Sequence, residues 1–253
     1  VFALVGCHSE KETKNALKTG VWRATIEIQG QQLPFNFDLA NDEQGGYDIF
    51  LRNADERLLL DEVKVYDDSI NIALHIFDAN IKARISGDSL IGEFIKNYEK
   101  DYNIPFVAVY GQGYRFEKGA NENDVPDFSG KYAVDFIFEA DTTPAIGIFK
   151  QVGDSVTGTF LTETGDYRYL QGNVANGMLQ LSTFDGNHAY MFTASKAENG
   201  KIAGEFYSGK AHMEFWEGTP NENAELKDPE SLTYLKKGFE KIDFSFPDVD
   251  GKK

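Results

Sequence analysis

The sequence predicts an all-β chain: two tandem antiparallel up-and-down barrels or sandwiches of about eight strands each. Three observations carry this. Apolar residues alternate with polar ones at a period of two, turn signals recur every roughly 8–12 residues, and the whole pattern occurs twice. The length of 253 residues makes two domains the default, and 20 Phe with 12 Tyr supply core material that favours strands over helices.

The duplication is read from spacing. Gly20 and Trp22 match Gly130 and Tyr132 at an offset of 110, and Pro34, Phe50-Leu51 and Leu60 find Pro144, Phe160-Leu161 and Leu170 at that same offset. Further on, Phe77-Asp78-Ala79-Asn80 resembles Phe184-Asp185-Gly186-Asn187, and Gly92-Glu93-Phe94 returns as Gly204-Glu205-Phe206. Small turn insertions account for the drift in offset.

Within each copy the strands follow from parity. Trp22, Ala24, Ile26 and Ile28 alternate with Arg23, Thr25 and Glu27, and Tyr132, Val134, Phe136 and Phe138 alternate with Ala133, Asp135 and Ile137. One face is buried and the other largely wet. Leu33, Phe35, Phe37 and Leu39 continue the pattern, as do Ile70, Ile72, Leu74 and Ile76. Asn176-Gly177, Asp185-Gly186 and Asn199-Gly200 supply the positive φ angles of tight hairpins. Gly92 and Gly204, inside strands, are expected to mark bulges or close backbone approaches. The Gly20-Val21-Trp22 motif resembles the first strand of lipocalin- and avidin-like barrels, where the aromatic ring plugs one end. The second copy has Gly130-Lys131-Tyr132 in its place.

The domain plan follows. Residues 1–18 are a signal remnant and tether, 19–110 the first β module, 111–128 a linker, and 129–218 the second module. Residues 219–241 are a linker with a short helix from Asp228 to Lys237, which Asp228 can cap and Pro229 can open. Residues 242–253 begin something else.

Charge excludes several functions. Lys and Arg number 25 against 41 Asp and Glu, a net charge of −16, which repels nucleic acid and anionic lipid. The one cysteine, Cys7, rules out an internal disulfide. Its setting, Leu4-Val5-Gly6-Cys7 followed at once by His8-Ser9-Glu10-Lys11, resembles the end of a bacterial lipoprotein signal peptide. That resemblance implies lipidation at Cys7, a membrane tether through that lipid, and an envelope, periplasm-facing location. The charged region expected ahead of such a segment is missing, so the chain reads as truncated at its start.

The tail, Phe244-Ser245-Phe246-Pro247-Asp248-Val249-Asp250-Gly251-Lys252, is similar to the opening of thioredoxin-fold proteins. With the lipobox, the β region and the helix, the chain resembles the membrane-anchored thiol–disulfide oxidoreductases of the TlpA/ResA-like group. The resemblance implies a non-catalytic region that positions a missing redox domain and contacts its protein thiol substrates. That family's Cys-x-x-Cys pair is absent from this sequence, so no catalytic residue carries over.

Other chemistry is sparse. No nucleophile elbow, phosphate-binding loop or HExxH occurs, and no cofactor or metal site is expected. His75 falls at an outward parity, His188 beside a turn, and His212 opposite in parity to Met213. Trp216 breaks parity beside Phe215 and is expected at a strand end as a contact surface. The aromatic set of Trp22, Tyr132, Phe136, Phe138, Tyr190, Phe192, Phe206, Phe215 and Trp216 opens a second functional reading, in which a β-barrel lipoprotein binds a small hydrophobic or saccharide ligand. Core packing is the competing role for these rings.

Overall fold

The computed structural model describes residues 17–120, 125–228, 231, 233–242 and 244–252. The first copy comprises β1 (Gly20–Ile28), β2 (Gln31–Asn41), β3 (Tyr47–Asn53), β4 (Glu56–Leu60), β5 (Val63–Tyr66), β6 (Ser69–Leu74), β7 (Ala79–Ser86), β8 (Ser89–Lys96) and β9 (Asn103–Tyr110). The second comprises β10 (Gly130–Phe138), β11 (Asp141–Val152), β12 (Ser155–Thr162), the two-residue β13 (Gly165–Asp166), β14 (Leu170–Ala175), β15 (Met178–Phe184), β16 (Ala189–Lys196), β17 (Ile202–Ser208) and β18 (His212–Pro220).

Both copies are antiparallel meanders in which the last strand returns to the first. In the first copy β9 pairs with β1, and the nine-stranded sheet runs β4-β3-β2-β1-β9-β8-β7-β6-β5. Its two edges, β4 and β5, are consecutive in sequence but share no ladder, so the ring is interrupted once. In the second copy β18 pairs with β10, β11 with β12 and β12 with β14, which closes the ring. The expected tandem barrels are therefore present, one split and one closed.

Repeated residues do repeated work. Gly20 and Gly130 adopt nearly the same positive φ, 123° and 120°. Two residues later, the Trp22 indole donates to the Lys18 carbonyl at 3.0 Å and the Tyr132 hydroxyl donates to the Phe128 carbonyl at 3.2 Å. Each ring caps one end of its barrel and satisfies the polar group it buries. Gly92 and Gly204 also match. A Cβ at Gly92 would stand 1.9 Å from the Lys82 carbonyl oxygen, and one at Gly204 would stand 1.7 Å from that of Thr193. Neighbouring strands therefore pass too close for any side chain at either position.

The other end of the first barrel is closed by the second. In β15 the side chains of Leu179 and Leu181 point into the second barrel, while Phe184, at the opposite parity, joins the core of the first. There it stacks on Phe35 at 4.3 Å and meets Phe94 edge-on at 5.0 Å. Ala189, Met191 and Tyr207 belong to the same core. Asn53 holds the junction by mimicking a β-bridge: its amide donates to the Phe184 carbonyl at 2.9 Å and accepts from the Phe184 N–H at 3.3 Å. Ser182 donates to the Pro34 carbonyl at 2.6 Å. Linker residues pack as well, with Phe116 and Phe128 both buried.

Beyond β18 two expectations are corrected. The expected Asp228–Lys237 helix does not extend to Lys237. Residues 233–236 are non-helical, Ser231 is the only helical residue described there, and Pro229, Glu230 and Leu232 lie outside the described residues. A segment this short needs a packed face to be stable as a helix, and Tyr234 is 88% exposed. Residues 244–252 likewise form no strand, with Phe244 and Phe246 exposed against no sheet. The thioredoxin-fold start, and with it the TlpA/ResA-like resemblance, is overturned. Cys7 and His8 lie outside the described residues. Among the described residues no helix is long and apolar enough to cross a membrane.

Candidate functional site at the mouth of the second barrel

The interior of the second barrel is filled. Phe136, Phe160, Phe192, Phe206 and Trp216 form one aromatic cluster, with Phe192 stacked on Phe206 at 4.4 Å and Phe160 edge-on to Trp216 at 5.0 Å. Trp216, expected as a contact surface, is corrected. It is 1% exposed and its indole donates to the Thr193 carbonyl at 3.1 Å, while its neighbour Phe215 faces outward. The parity break falls at Phe215, because strand alternation places Trp216 inward with Glu214 and His212.

Chemistry-bearing side chains gather at one end of this barrel, where β10, β12, β15 and β17 finish and β16 and β18 begin. The turn after β13 delivers the first. Asp166 accepts from the Arg168 N–H at 2.8 Å, and Arg168 takes a left-handed φ of 64°. This turns Tyr167 over the barrel opening, stacked on Phe136 at 5.2 Å and edge-on to Phe206 at 5.1 Å. Tyr190 stands beside it at 5.5 Å.

Two histidine–carboxylate pairs flank these rings. His188 Nδ1 is 2.8 Å from Asp185 Oδ2, and the N–H groups of Asn187 and His188 donate to Asp185 Oδ1 at 2.9 and 2.7 Å. The Asp185 side chain is fully buried. Burial pushes its pKa up, but hydrogen bonds from the His188 ring and the two N–H groups outweigh this and hold the carboxyl below its usual range. Arg168 extends the network, with Nε 3.5 Å from Asp185 and Nη2 2.6 Å from Glu56 of the first barrel. Further round the barrel, past β17 at the start of β18, His212 Nε2 lies 2.6 Å from Glu214 Oε1, and the His212 ring is 5.0 Å from Phe138.

The tyrosines feel this field. Burial, then the charge of Asp185, pushes Tyr190 up to about 12. Burial, then Glu214, raises Tyr167 further. Both stay protonated at neutral pH and can donate. No hydroxyl or thiol is hydrogen-bonded to either imidazole among the described residues, and no group of three metal-ligating side chains occurs among them. The arrangement offers ring faces, tyrosine hydroxyls and oriented imidazoles, which is equipment for binding.

Of the aromatic residues singled out in the sequence, Phe138, Tyr190 and Phe206 meet here. Trp22 serves the first barrel, Phe192 and Trp216 lie deeper, Tyr132 caps the opposite end, and Phe215 is outside. Tyr167, Asp185 and Glu214 were missed. His212-x-Glu214 carried a signal, since residues two apart in a strand share a face. His75 sits in a one-turn 3₁₀ helix (His75–Phe77), exposed as expected and 3.9 Å from Glu62.

No known family profile matches the chain, and no curated protein matches it. Two solved structures are similar in outline. One is a Bacteroides fragilis protein described as a "putative outer membrane protein", at 11% identity and a TM-score of 0.27, covering 79% of this chain and 96% of that one. The other is a Nostoc punctiforme protein of unknown function from the DUF3598 family, at 8% identity and a TM-score of 0.27, covering 81% and 95%.

Proposed function

We propose that the chain is a binding protein whose second barrel takes a small polyhydroxylated ligand, a saccharide, at its mouth, and that Cys7 tethers it to the bacterial envelope through lipid. The observation that carries the ligand class is the filled interior beneath a polar, ring-lined mouth. A lipid needs a deep apolar cavity, and Phe136, Phe160, Phe192, Phe206 and Trp216 occupy that space. A sugar needs a ring face to stack on and side chains that donate and accept around its rim. Phe138 is 44% exposed and offers the face, with His212 5.0 Å away and paired to Glu214, while Tyr190 and His188 supply polar groups along the same rim.

Calorimetric titration against mono- and oligosaccharides, with fatty acids and phospholipids in parallel, tests the site. Saccharide binding that weakens about tenfold or more in Phe138→Ala and Glu214→Gln is expected, each loss being worth about 1.4 kcal/mol. Binding of lipids alone, or of neither class, would sink the reading. The tether has its own assay: fatty-acid label incorporated in a bacterial host and lost in Cys7→Ala.

A further inference from the structure

The turn that carries Tyr167 over the barrel opening sends a second ring outside. Tyr169 follows two residues later, which puts its Cα within about 7 Å of that of Tyr167, and it is 54% exposed. It lines a groove of about 400 Å³ on the outer surface of the second barrel, a size that suits a small-molecule site. Across β11 and β12, Ile148 pairs with Thr159 and Lys150 with Thr157, and these side chains face outward into the groove by strand alternation. The first barrel adds its β3–β4 turn. The Ala54 N–H donates to Gln171 Oε1 at 3.0 Å, which pins the turn to β14 and leaves Asp55 on the groove.

Groove and mouth meet at Arg168. Its Nε lies 3.5 Å from Asp185 of the mouth and its Nη2 2.6 Å from Glu56, while the same side chain lines the groove. The chemistry of the groove repeats that of the mouth. Tyr169 and Ile148 offer an apolar face on which a pyranose can lie, and Thr157, Lys150 and Asp55 offer groups that donate to and accept from its hydroxyls. Among the described residues these last three side chains have no hydrogen-bond or ion-pair partner. A lipid chain laid here would cover Lys150 and Asp55 without pairing them, which is costly. Lys150 and Arg168 stand against Asp55 and Asp166, so the balance of charge favours a neutral ligand over a polyanion.

We infer that the mouth and this groove are two subsites of one track, and that the ligand is a neutral oligosaccharide whose chain crosses Arg168 from the mouth to Tyr169. The inference rests on the saccharide reading of the mouth and adds to it the length of the ligand and the path it takes.

Calorimetry on the whole chain tests this with glucose, mannose and xylose, each beside its β-1,4-linked hexamer. At least one hexamer is expected to bind about tenfold or more tighter than its monomer, because a second contact on the same ligand acts at high effective concentration. Tyr169→Ala is expected to remove that gain and leave the monomer unchanged, whereas Phe138→Ala weakens monomer and hexamer alike. Hexamers that bind no tighter than monomers, or a gain that survives Tyr169→Ala, would overturn the track and leave the mouth reading in place. No binding of either length overturns both. Should Tyr169→Ala fail to fold, two-dimensional NMR of the wild type titrated with the hexamers decides. Amide shifts at Thr157, Thr159 and Tyr169 together with those at the mouth support the track, and shifts confined to the mouth overturn it.

Discussion

The two barrels share a plan and differ in self-sufficiency. The core of the second is drawn entirely from residues 128–216 and is dominated by aromatic rings. The core of the first is mainly Ile, Leu, Phe and Ala, and it borrows Phe184, Ala189, Met191 and Tyr207 from its neighbour. Ring closure differs in the same direction. The second barrel has no free edge along its main ladder, whereas the first is open between β4 and β5. A duplicated sequence has thus diverged into a supporting unit and a supported one. What separates them is which face of β15 and β16 carries apolar residues: both faces do.

The largest expected effect breaks that comparison outright. Gly204→Val drives a methyl-bearing carbon into the Thr193 carbonyl and should cost more than about 4 kcal/mol, unfolding the second barrel and with it the first. Gly92→Val makes the same clash in the first barrel, yet should leave the second folded. Two-dimensional NMR of both variants checks this, and a folded first barrel in Gly204→Val would contradict the dependence.

Phe184→Ala comes next. It empties a fully buried site shared with Phe35 and Phe94 and is expected to cost about 3–5 kcal/mol. The loss should register as faster amide exchange in β2 and β8 of the first barrel, although the residue belongs to the second. Uniform loosening of both barrels would argue against the plug.

Asp185→Asn is expected to cost about 3 kcal/mol near neutral pH, since a buried carboxylate loses its charge-assisted bonds. The sign with pH follows from the depressed pKa of the folded state. The carboxylate's contribution is full above the unfolded-state value near 3.8 and fades as the pH falls through the lower folded value. Denaturant melts should therefore show wild type and Asp185→Asn converging in acid and separating towards neutrality.

Tyr132→Phe is the mildest test and sharpens the equivalence of the end caps. It removes one buried hydrogen bond, to the Phe128 carbonyl, and should lower stability by about 1 kcal/mol, read from the denaturation midpoint.

Much of this was legible in the sequence. Alternation along Trp22–Ile28 and Tyr132–Phe136 and the paired glycines at 92 and 204 report purely local geometry, which a strand cannot hide. The mouth was half legible: Phe138, Tyr190 and Phe206 stood out as aromatic, but the meeting of Tyr190 and Phe206 with Tyr167, and of Phe138 with His212, depends on tertiary pairing between strands and turns apart in sequence. Phe184 was hidden for another reason. Its repeat partner Phe77 ends a one-turn 3₁₀ helix and is only half-buried, so sequence similarity equated two residues that tertiary packing treats differently. The tail misled because Phe244-Ser245-Phe246-Pro247 reads like a strand and its break, while no sheet edge stands beside it to receive one.

The plug at Phe184 also imposes an order in time. A ribosome delivers Tyr110, the end of the last strand of the first barrel, 74 residues before Phe184, the ring that seals it, so a nascent chain halted ahead of position 184 would leave Phe35 and Phe94 facing water. Maturation of the amino-terminal half must then wait for the carboxyl-terminal half, and arrest-peptide force measurements along the chain should find one late pull instead of two.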